Sequence, residues 1–444
     1  MEKITREEKI RVLMFPWLAH GHISPFLELA KRLSKKNFHI CFCSTPINLN
    51  FIKKTLSPNY SLSIQLIELH LPSLPSLPPH FHTTKGLPPH LMPTLKKAFD
   101  NSSPSFLKIL EILKPDLLIY DFIQPWAPIQ ALNLNIPSVF FLCSSISMAA
   151  FVIQNTDMEN LFPEICPGEY FKNKSLDVLR SSSNERKDID RFIESWERSS
   201  RFILAKTYRE IEGEYIDYLS GKMMKNIIPT GPLVEEQEQE DNSNMNEVKE
   251  WLEKKKRFST VFVSFGSEYF LTKQEREEIA KGLELSGVNF IWVIRFPKGE
   301  EIKLEDSLPE RFLERVKERG KVVEGWIPQG RILRDSKVGG FVSHCGWSSV
   351  MESMKFGVPI IGLPMNLDQP VNARLVEHVG VGIEVKRSEN GEIEREEIAQ
   401  TIRKVVVEKS GDFVRKKVRE MSNVMIKKRE EEIDVVVHEL LQLL

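Results

Sequence analysis

Cysteine is scarce in this chain and scattered. Cys41, Cys43, Cys143, Cys166 and Cys345 are odd in number and share no spacing, which excludes a disulfide framework and implies a reducing, cytoplasmic compartment. Net charge is nearly absent as well. Lys plus Arg at 61 against Asp plus Glu at 62 leaves −1, so no general electrostatic case exists for nucleic acid or an anionic membrane as partner. Long apolar runs are missing. The nearest, Pro137 to Ile153, is broken by Ser144, Ser145 and Ser147 and falls short of the roughly 20 apolar residues that a membrane span needs. The charged start, MEKITREEKI, runs into a strand pattern and cannot form the apolar core of a secretion signal. Metal-ligand spacings are lacking too. His20-x-His22 and His80-x-His82 have no third ligand at a recognisable distance along the chain. Asp188-x-Asp190 lies in the charged stretch SSSNERKDIDRF and reads as a solvated helix start. Gly380-Val-Gly382 follows a helical pattern and lacks the third glycine of a dinucleotide fingerprint. No metal and no cofactor is expected.

What remains is a chain of 444 residues, longer than one core usually serves. Apolar runs at Ile10 to Phe15, His39 to Ser44, Leu117 to Tyr120 and Ser138 to Phe141 alternate with helical stretches such as Ile23 to Ser34 and Ser103 to Leu113. This is the pattern of a parallel sheet covered by helices. A second cycle runs through Thr260 to Phe265, Asn289 to Ile294, Lys321 to Glu324, Gly339 to Val342 and Pro359 to Gly362. Between the cycles, GPLVEEQEQEDNSNMNEV is acidic and lacks apolar periodicity, as a linker does. The Pro-rich segment Leu71 to Pro93 reads as a long surface loop. Near the end, Val414, Val418, Met421 and Met425 recur at the spacing of an amphipathic helix.

The stretch from Trp326 to Gln369 concentrates the binding chemistry. A strand at Gly339 to Val342 meets a turn at Gly346, and a helix follows from Ser348 through Met354. Unpaired N–H groups and the dipole at such a helix start favour an anion. Ser348, Ser349 and His344 add donors at the same place. Glu352, one turn on, can accept both hydroxyls of a ribose. Trp326 offers a flat face for a base, and Asp368 with Gln369 a fork for sugar hydroxyls. Structural alternatives stand beside these readings: Ser349-x-x-Glu352 fits a capping box, and Asp368-Gln369-Pro370 fits a helix N-cap with proline in its first turn. Ser267, ending SFGS, is either a phosphate contact or an ordinary turn residue.

His22 follows the first strand in AHGHISP, where Gly21 permits a tight turn before a helix near Ile23. Imidazole titrates near neutrality, as a general base for a hydroxyl should. Asp121 closes the run LLIYD, so it falls at the carboxyl edge of a parallel strand, where open α/β sheets place ligands. Together the two form the orienting half of a Ser-His-Asp arrangement, with a substrate hydroxyl in the serine's place. His20, two residues before His22, competes for the role of base.

The ordered set from Trp326 to Gln369, with FPWLAHGHISPFLELAKRL near the start, resembles the plant UDP-sugar-dependent glycosyltransferases over nearly the whole chain. The resemblance implies an α/β GT-B fold of two Rossmann-like domains with parallel sheets facing a cleft. It assigns residues 1–230 to an acceptor-binding domain, 231–250 to a linker, 251–429 to a UDP-sugar-binding domain, and 430–444 to a helix returning to the first. It carries His22 and Asp121 onto the family's catalytic positions. Ser267, Trp326, Ile327, Gln329, His344, Gly346, Trp347, Ser348, Ser349, Glu352, Asp368 and Gln369 fall on its donor-binding positions. Two departures stand out, since the family usually has Asn at Ser348 and His at Asp335. The stretches STPINLN and ELHLPSLPSLPPHFHTTKGLPPHLMP, with FGSEYF, look most like the clade that extends the sugar chain of an existing plant glycoside. That implies an inverting, metal-independent transfer from UDP-glucose to a triterpenoid glycoside, with a flavonoid glycoside next, by a protein expected to be a monomer. Trp17, Phe81, His82, Phe122, Ile123, Leu142, Met148 and Asn366 are the expected acceptor contacts. The alternatives are an aglycone O-glucosyltransferase, another UDP-sugar on the same fold, or a non-catalytic nucleotide-sugar-binding protein.

Overall fold

Four-residue runs such as LLIY and FILA are buried at every position, as strands covered on both faces must be. They belong to a computed structural model that describes residues 9–235, 243–297 and 302–444. The chain divides into two units, Met1–Cys143 with Leu179–Leu233 and Arg429–Leu444, and Ser144–Val178 with Val234–Lys428.

The first unit carries β1 (Ile10–Phe15), β2 (Phe38–Ser44), β3 (Ile64–Glu68), β4 (Leu117–Tyr120), β5 (Ser138–Leu142), a small hairpin of β6 (Ser182–Ser183) and β7 (Arg186–Lys187), then β8 (Phe202–Ala205) and β9 (Asn226–Pro229). Its sheet has the order β3-β2-β1-β4-β5-β8-β9 and is parallel throughout. The helix His20–Leu33 sets Ile23, Phe26, Leu29 and Leu33 into the core with Val12, Met14 and Ile40. Ile433, Val436 and Leu440 of the last helix, Asp412–Leu441, join that core. From β1 the chain first builds outward through β2 and β3, then returns to add β4 on the other flank. The crevice at the carboxyl ends of β1 and β4 is therefore a topological switch point, where ligands bind in open α/β sheets.

The second unit repeats the plan. β10 (Thr260–Ser264), β11 (Asn289–Ile294), β12 (Gly320–Glu324), β13 (Val338–Ser343), β14 (Ile360–Gly362) and β15 (Gly382–Glu384) form a parallel sheet in the order β12-β11-β10-β13-β14-β15. Its switch point lies between β10 and β13. Val414, Val418, Met421 and Met425 are all buried, as their spacing required.

Several expectations need correction. The linker reading of residues 231–250 fails from residue 243, where the helix Ser243–Glu253 begins and Met245, Val248 and Leu252 are buried at helical spacing; residues 236–242 of that stretch lie outside the described residues. Residues 144–178, expected in the N-terminal domain, group with the second unit, because Ser145 donates to Asn372 at 2.6 Å and Ser175 to the Leu367 carbonyl at 3.2 Å. The Leu71 to Pro93 loop is more than a surface cover. His82, Thr83 and Thr84 are buried, Thr45 Oγ1 donates to the His82 carbonyl at 2.7 Å, and the Thr84 N–H donates to the Leu18 carbonyl at 3.1 Å. Asp188 does start a helix, Asp188–Glu197, but it is buried against Lys96 and Ser181 instead of solvated. Gly380 caps the helix Gln369–Val379 with φ 78°, and a Cβ at Gly382 would meet the Ile360 carbonyl at 2.4 Å. The two glycines thus serve a helix end and close strand packing.

Candidate active site

In the first unit the switch point holds His22 and Asp121. The helix starts at His20, earlier than Ile23, with the Ala19 carbonyl accepting from the N–H groups of His22 and Ile23. Gly21 is then a residue of the first helical turn, not a turn glycine, and a Cβ there would meet nothing within 4 Å. Asp121 is fully buried. Its Oδ2 lies 2.8 Å from His22 Nδ1 and accepts from the Trp17 N–H at 3.0 Å, while Oδ1 accepts from the Phe122 N–H at 2.8 Å. Two backbone donors fix the carboxylate, and the carboxylate fixes the ring, whose side chain is 22% exposed. His20 instead meets Phe51 edge-on at 5.5 Å.

The loop that bears Asp121 is clamped from below, which the sequence did not reveal. Arg191 is fully buried, pairs with Asp100 through both terminal nitrogens at 2.8 and 2.7 Å, and donates to the Ile123 carbonyl at 2.9 Å. Ser195 Oγ donates to the Phe122 carbonyl at 3.0 Å, Arg198 to the Pro125 carbonyl at 2.8 Å, and Gln124 to the Phe15 carbonyl at 2.6 Å. Of the expected acceptor residues in this unit, Trp17, His82, Ile123 and Leu142 are buried, whereas Phe81 and Phe122 are partly exposed. Met148 and Asn366 belong to the second unit.

In the second unit the switch point holds the loop after β10 and the turn after β13. His344 lies between two glycines, since a Cβ on Gly266 would stand 2.5 Å from its Nε2 and one on Gly346 2.6 Å. Burial, with help from the nearby Arg295 charge, pushes its pKa down to about 4, so the ring is neutral at pH 7. Cys345 takes the left-handed backbone at φ 63°, a strained conformation that gathers at functional turns. Asn372, fully buried, donates to the Cys345 carbonyl at 3.0 Å and to Asp368 Oδ2 at 2.9 Å; it too was missed. The helix Trp347–Lys355 follows, with Gly346 at its N-cap and no side-chain cap. The capping-box reading of Ser349 and Glu352 is thereby removed. Gln329 Nε2 instead donates to Ser349 Oγ at 3.1 Å and to Glu352 Oε2 at 2.8 Å, which draws the three together. Ser267 and Ser348 are partly exposed near this turn, Trp326 is exposed, and Ile327 and Trp347 are buried.

One donor expectation changes. Asp368 holds the N-cap position ahead of Pro370 but makes no capping bond. Gln369 is buried, and its Oε1 accepts from the N–H groups of Met365 and Asn366 at 3.0 and 3.1 Å while Nε2 donates to Asn366 Oδ1 at 2.8 Å. The Gln369 arm of the expected fork is folded back to brace its own loop.

Comparison with known proteins adds three kinds of likeness. A family model for UDP-glucoronosyl and UDP-glucosyl transferase matches residues 222–438, and one for a glycosyltransferase N-terminal domain matches residues 8–235. A mogroside IIIx synthase of Siraitia grosvenorii is 51% identical, over 100% of this chain and 95% of that protein. A beta-D-glucosyl crocetin beta-1,6-glucosyltransferase of Gardenia jasminoides is 50% identical, over 97% of this chain and 98% of the other. The crystal structure of Glycyrrhiza uralensis UGT73P12, complexed with glycyrrhetinic acid 3-O-monoglucuronide, matches with a TM-score of 0.85 at 24% identity, over 98% of this chain and 96% of that one. The last likeness speaks for the fold.

Proposed function

Since the chain belongs to the UDP-glucoronosyl and UDP-glucosyl transferase family and has its GT-B fold, we propose that it transfers glucose from UDP-glucose to a sugar hydroxyl of a plant glycoside, a triterpenoid glycoside before a flavonoid one. The observation that carries the catalytic half is the 2.8 Å contact between His22 and a buried Asp121 held by two backbone N–H groups. The acceptor half is supported by relatives near 50% identity whose names describe the building of glycosides. His22 Nε2 takes the proton of the acceptor hydroxyl, and Asp121 stabilises the imidazolium that forms. The acceptor oxygen bonds to the anomeric carbon as the bond to UDP breaks on the opposite face, giving a β-linkage from an α-donor. Charge on the departing UDP is met by the helix start at Trp347, the hydroxyls of Ser267, Ser348 and Ser349, and His344 as a neutral donor. Glu352 accepts from the ribose hydroxyls, and Trp326 stacks on the base. No step calls on a metal or a cofactor. We place the protein in the cytoplasm as a monomer.

Mass spectrometry of products from a panel of UDP-sugars and acceptors tests this reading. A monoglucoside is expected to react with kcat/KM at least ~10-fold above its free aglycone, or about 1.4 kcal/mol of transition-state binding. Equal rates on the aglycone would leave an aglycone O-glucosyltransferase. Preference for UDP-glucuronate, UDP-xylose or UDP-rhamnose would change the donor, and binding without turnover would leave a nucleotide-sugar-binding protein.

A further inference from the structure

Cys143 stands beside the His–Asp pair without a part in the proposed proton transfer. It is buried at 4% exposure just past β5, and β5 neighbours β4 in the sheet, so Cys143 and Asp121 emerge from adjacent strands at the same edge. Its Sγ, a ring nitrogen of His22 and a carboxylate oxygen of Asp121 all lie within 4.8 Å of one another. Along the chain His22 and Asp121 are 99 residues apart, so no local spacing could announce the set. Burial and the Asp121 charge push the Cys143 pKa well up, which keeps the side chain a thiol and unsuited to act as a base or nucleophile.

Nitrogen, carboxylate oxygen and sulfur are the donors that zinc takes in sites of three protein ligands with one position open. We infer that His22, Asp121 and Cys143 form an inhibitory site for a thiophilic divalent cation, with Zn²⁺ as the test ion. On binding, the metal gains bonds to the three side chains and the thiol proton passes to solvent. Zinc holds its ligands at about 2.0–2.3 Å, so ligand atoms in tetrahedral array stand farther apart than the 2.8 Å between His22 and Asp121. The hydrogen bond must open for the metal to enter. Entry is from the side of the imidazole, whose side chain is 22% exposed against 0% for the carboxylate. A ring so held can neither be oriented by Asp121 nor accept the acceptor's proton, and turnover stops. The inhibition, though not the metal site itself, rests on the catalytic reading of His22.

The test compares the full-length protein with its Cys143→Ala variant after chelator treatment. Co²⁺, the spectroscopic stand-in for zinc, is expected to give a thiolate-to-cobalt charge-transfer band with the wild type and none with the variant. Zn²⁺ is expected to inhibit glucosyl transfer by the wild type, and the half-inhibiting concentration should rise at least ~10-fold in Cys143→Ala, the scale felt when a metal site loses even an orienting group. Turnover without metal should stay within ~2-fold. Cys166→Ala, at the partly exposed cysteine, should behave as the wild type. Should Cys143→Ala fail to fold, Cys143→Ser keeps the volume and offers only a poor ligand. Absence of the band in the wild type, or the same zinc sensitivity in both proteins, overturns the site. A band with undiminished turnover upholds the site and removes His22 from catalysis.

Discussion

In the metal-free protein Asp121 is committed to orienting His22. Its two oxygens are taken by Trp17, Phe122 and the imidazole. His22→Ala should therefore lower kcat by roughly 10²-fold to 10⁴-fold with UDP affinity nearly unchanged in calorimetry. His20→Ala, which removes a ring packed on Phe51, should be far milder, and a reversed order would move the base to His20. Glu352→Gln should weaken UDP-glucose binding by about 1.5–3 kcal/mol, the worth of hydrogen bonds to a charged group. With no capping box to lose, its melting temperature should hold. A variant that melts earlier but binds as before would contradict this. His22 and Asp121 were legible in the sequence because each ends or follows an apolar run, which fixes it at a sheet edge. Gln369 was not, because a long, flexible side chain has its choice of partners set by a loop whose path no periodicity encodes.

At the level of strands and helices, legibility followed burial. β1, β4 and β11 begin and end where their apolar runs do. β3 was missed because only Ile64 in it is fully buried, so an edge strand leaves no apolar run. β8, β9 and β15 were left out as runs of three or four residues, which periodicity alone does not separate from a turn of buried helix, although β4 and β14, which are no longer than these, read as strands. The helix Asp188–Glu197 read as a charged surface piece, yet its inner face grips the Asp121 loop through Arg191 and Ser195. Asp188 and Arg191 are buried partners, and hydropathy counts every charge as solvent-facing. Arg191→Met strands Asp100 beneath that loop. We expect a loss of about 3–5 kcal/mol, the usual result of breaking a buried pair, seen as a lower melting temperature. Below the melting range, kcat should fall while UDP affinity stays within error, because the proposed donor residues lie in the other unit. Equal losses in both would mean general unfolding.

For the molecule as a whole, two partly buried groups set opposing pH dependences. Glu384, at the end of β15, has its pKa raised from 4.5 to about 7, chiefly by burial. The unfolded chain releases this proton first, so stability falls as pH rises from 4.5 to about 7 and is level above. Glu384→Gln should thus melt as the wild type does near pH 4.5 and gain progressively to a plateau above pH 7, by about 1–3 kcal/mol. His344 works the other way. Its pKa of about 4 lies below the ordinary 6.5, so the unfolded chain binds the proton first and stability is lost as pH falls through that interval. His344→Gln should flatten the acid limb of the melting curve between pH 6.5 and 4. An unchanged limb would mean that the ring is already protonated in the folded protein.

The grouping of residues 144–178 with the second unit bears on recombination between relatives. A chimera joined once, near residue 233, would keep one parent's 144–178 against the other parent's 234–428, and every pairing such as Ser145 with Asn372 or Ser175 with the Leu367 carbonyl would join residues of different ancestry. Junctions at 143, 178, 233 and 428 exchange the unit whole. Libraries with all four crossovers should yield more soluble, UDP-binding progeny than single-crossover libraries from the same parents, and the place to cut this gene is not the one that a linear map of two halves suggests.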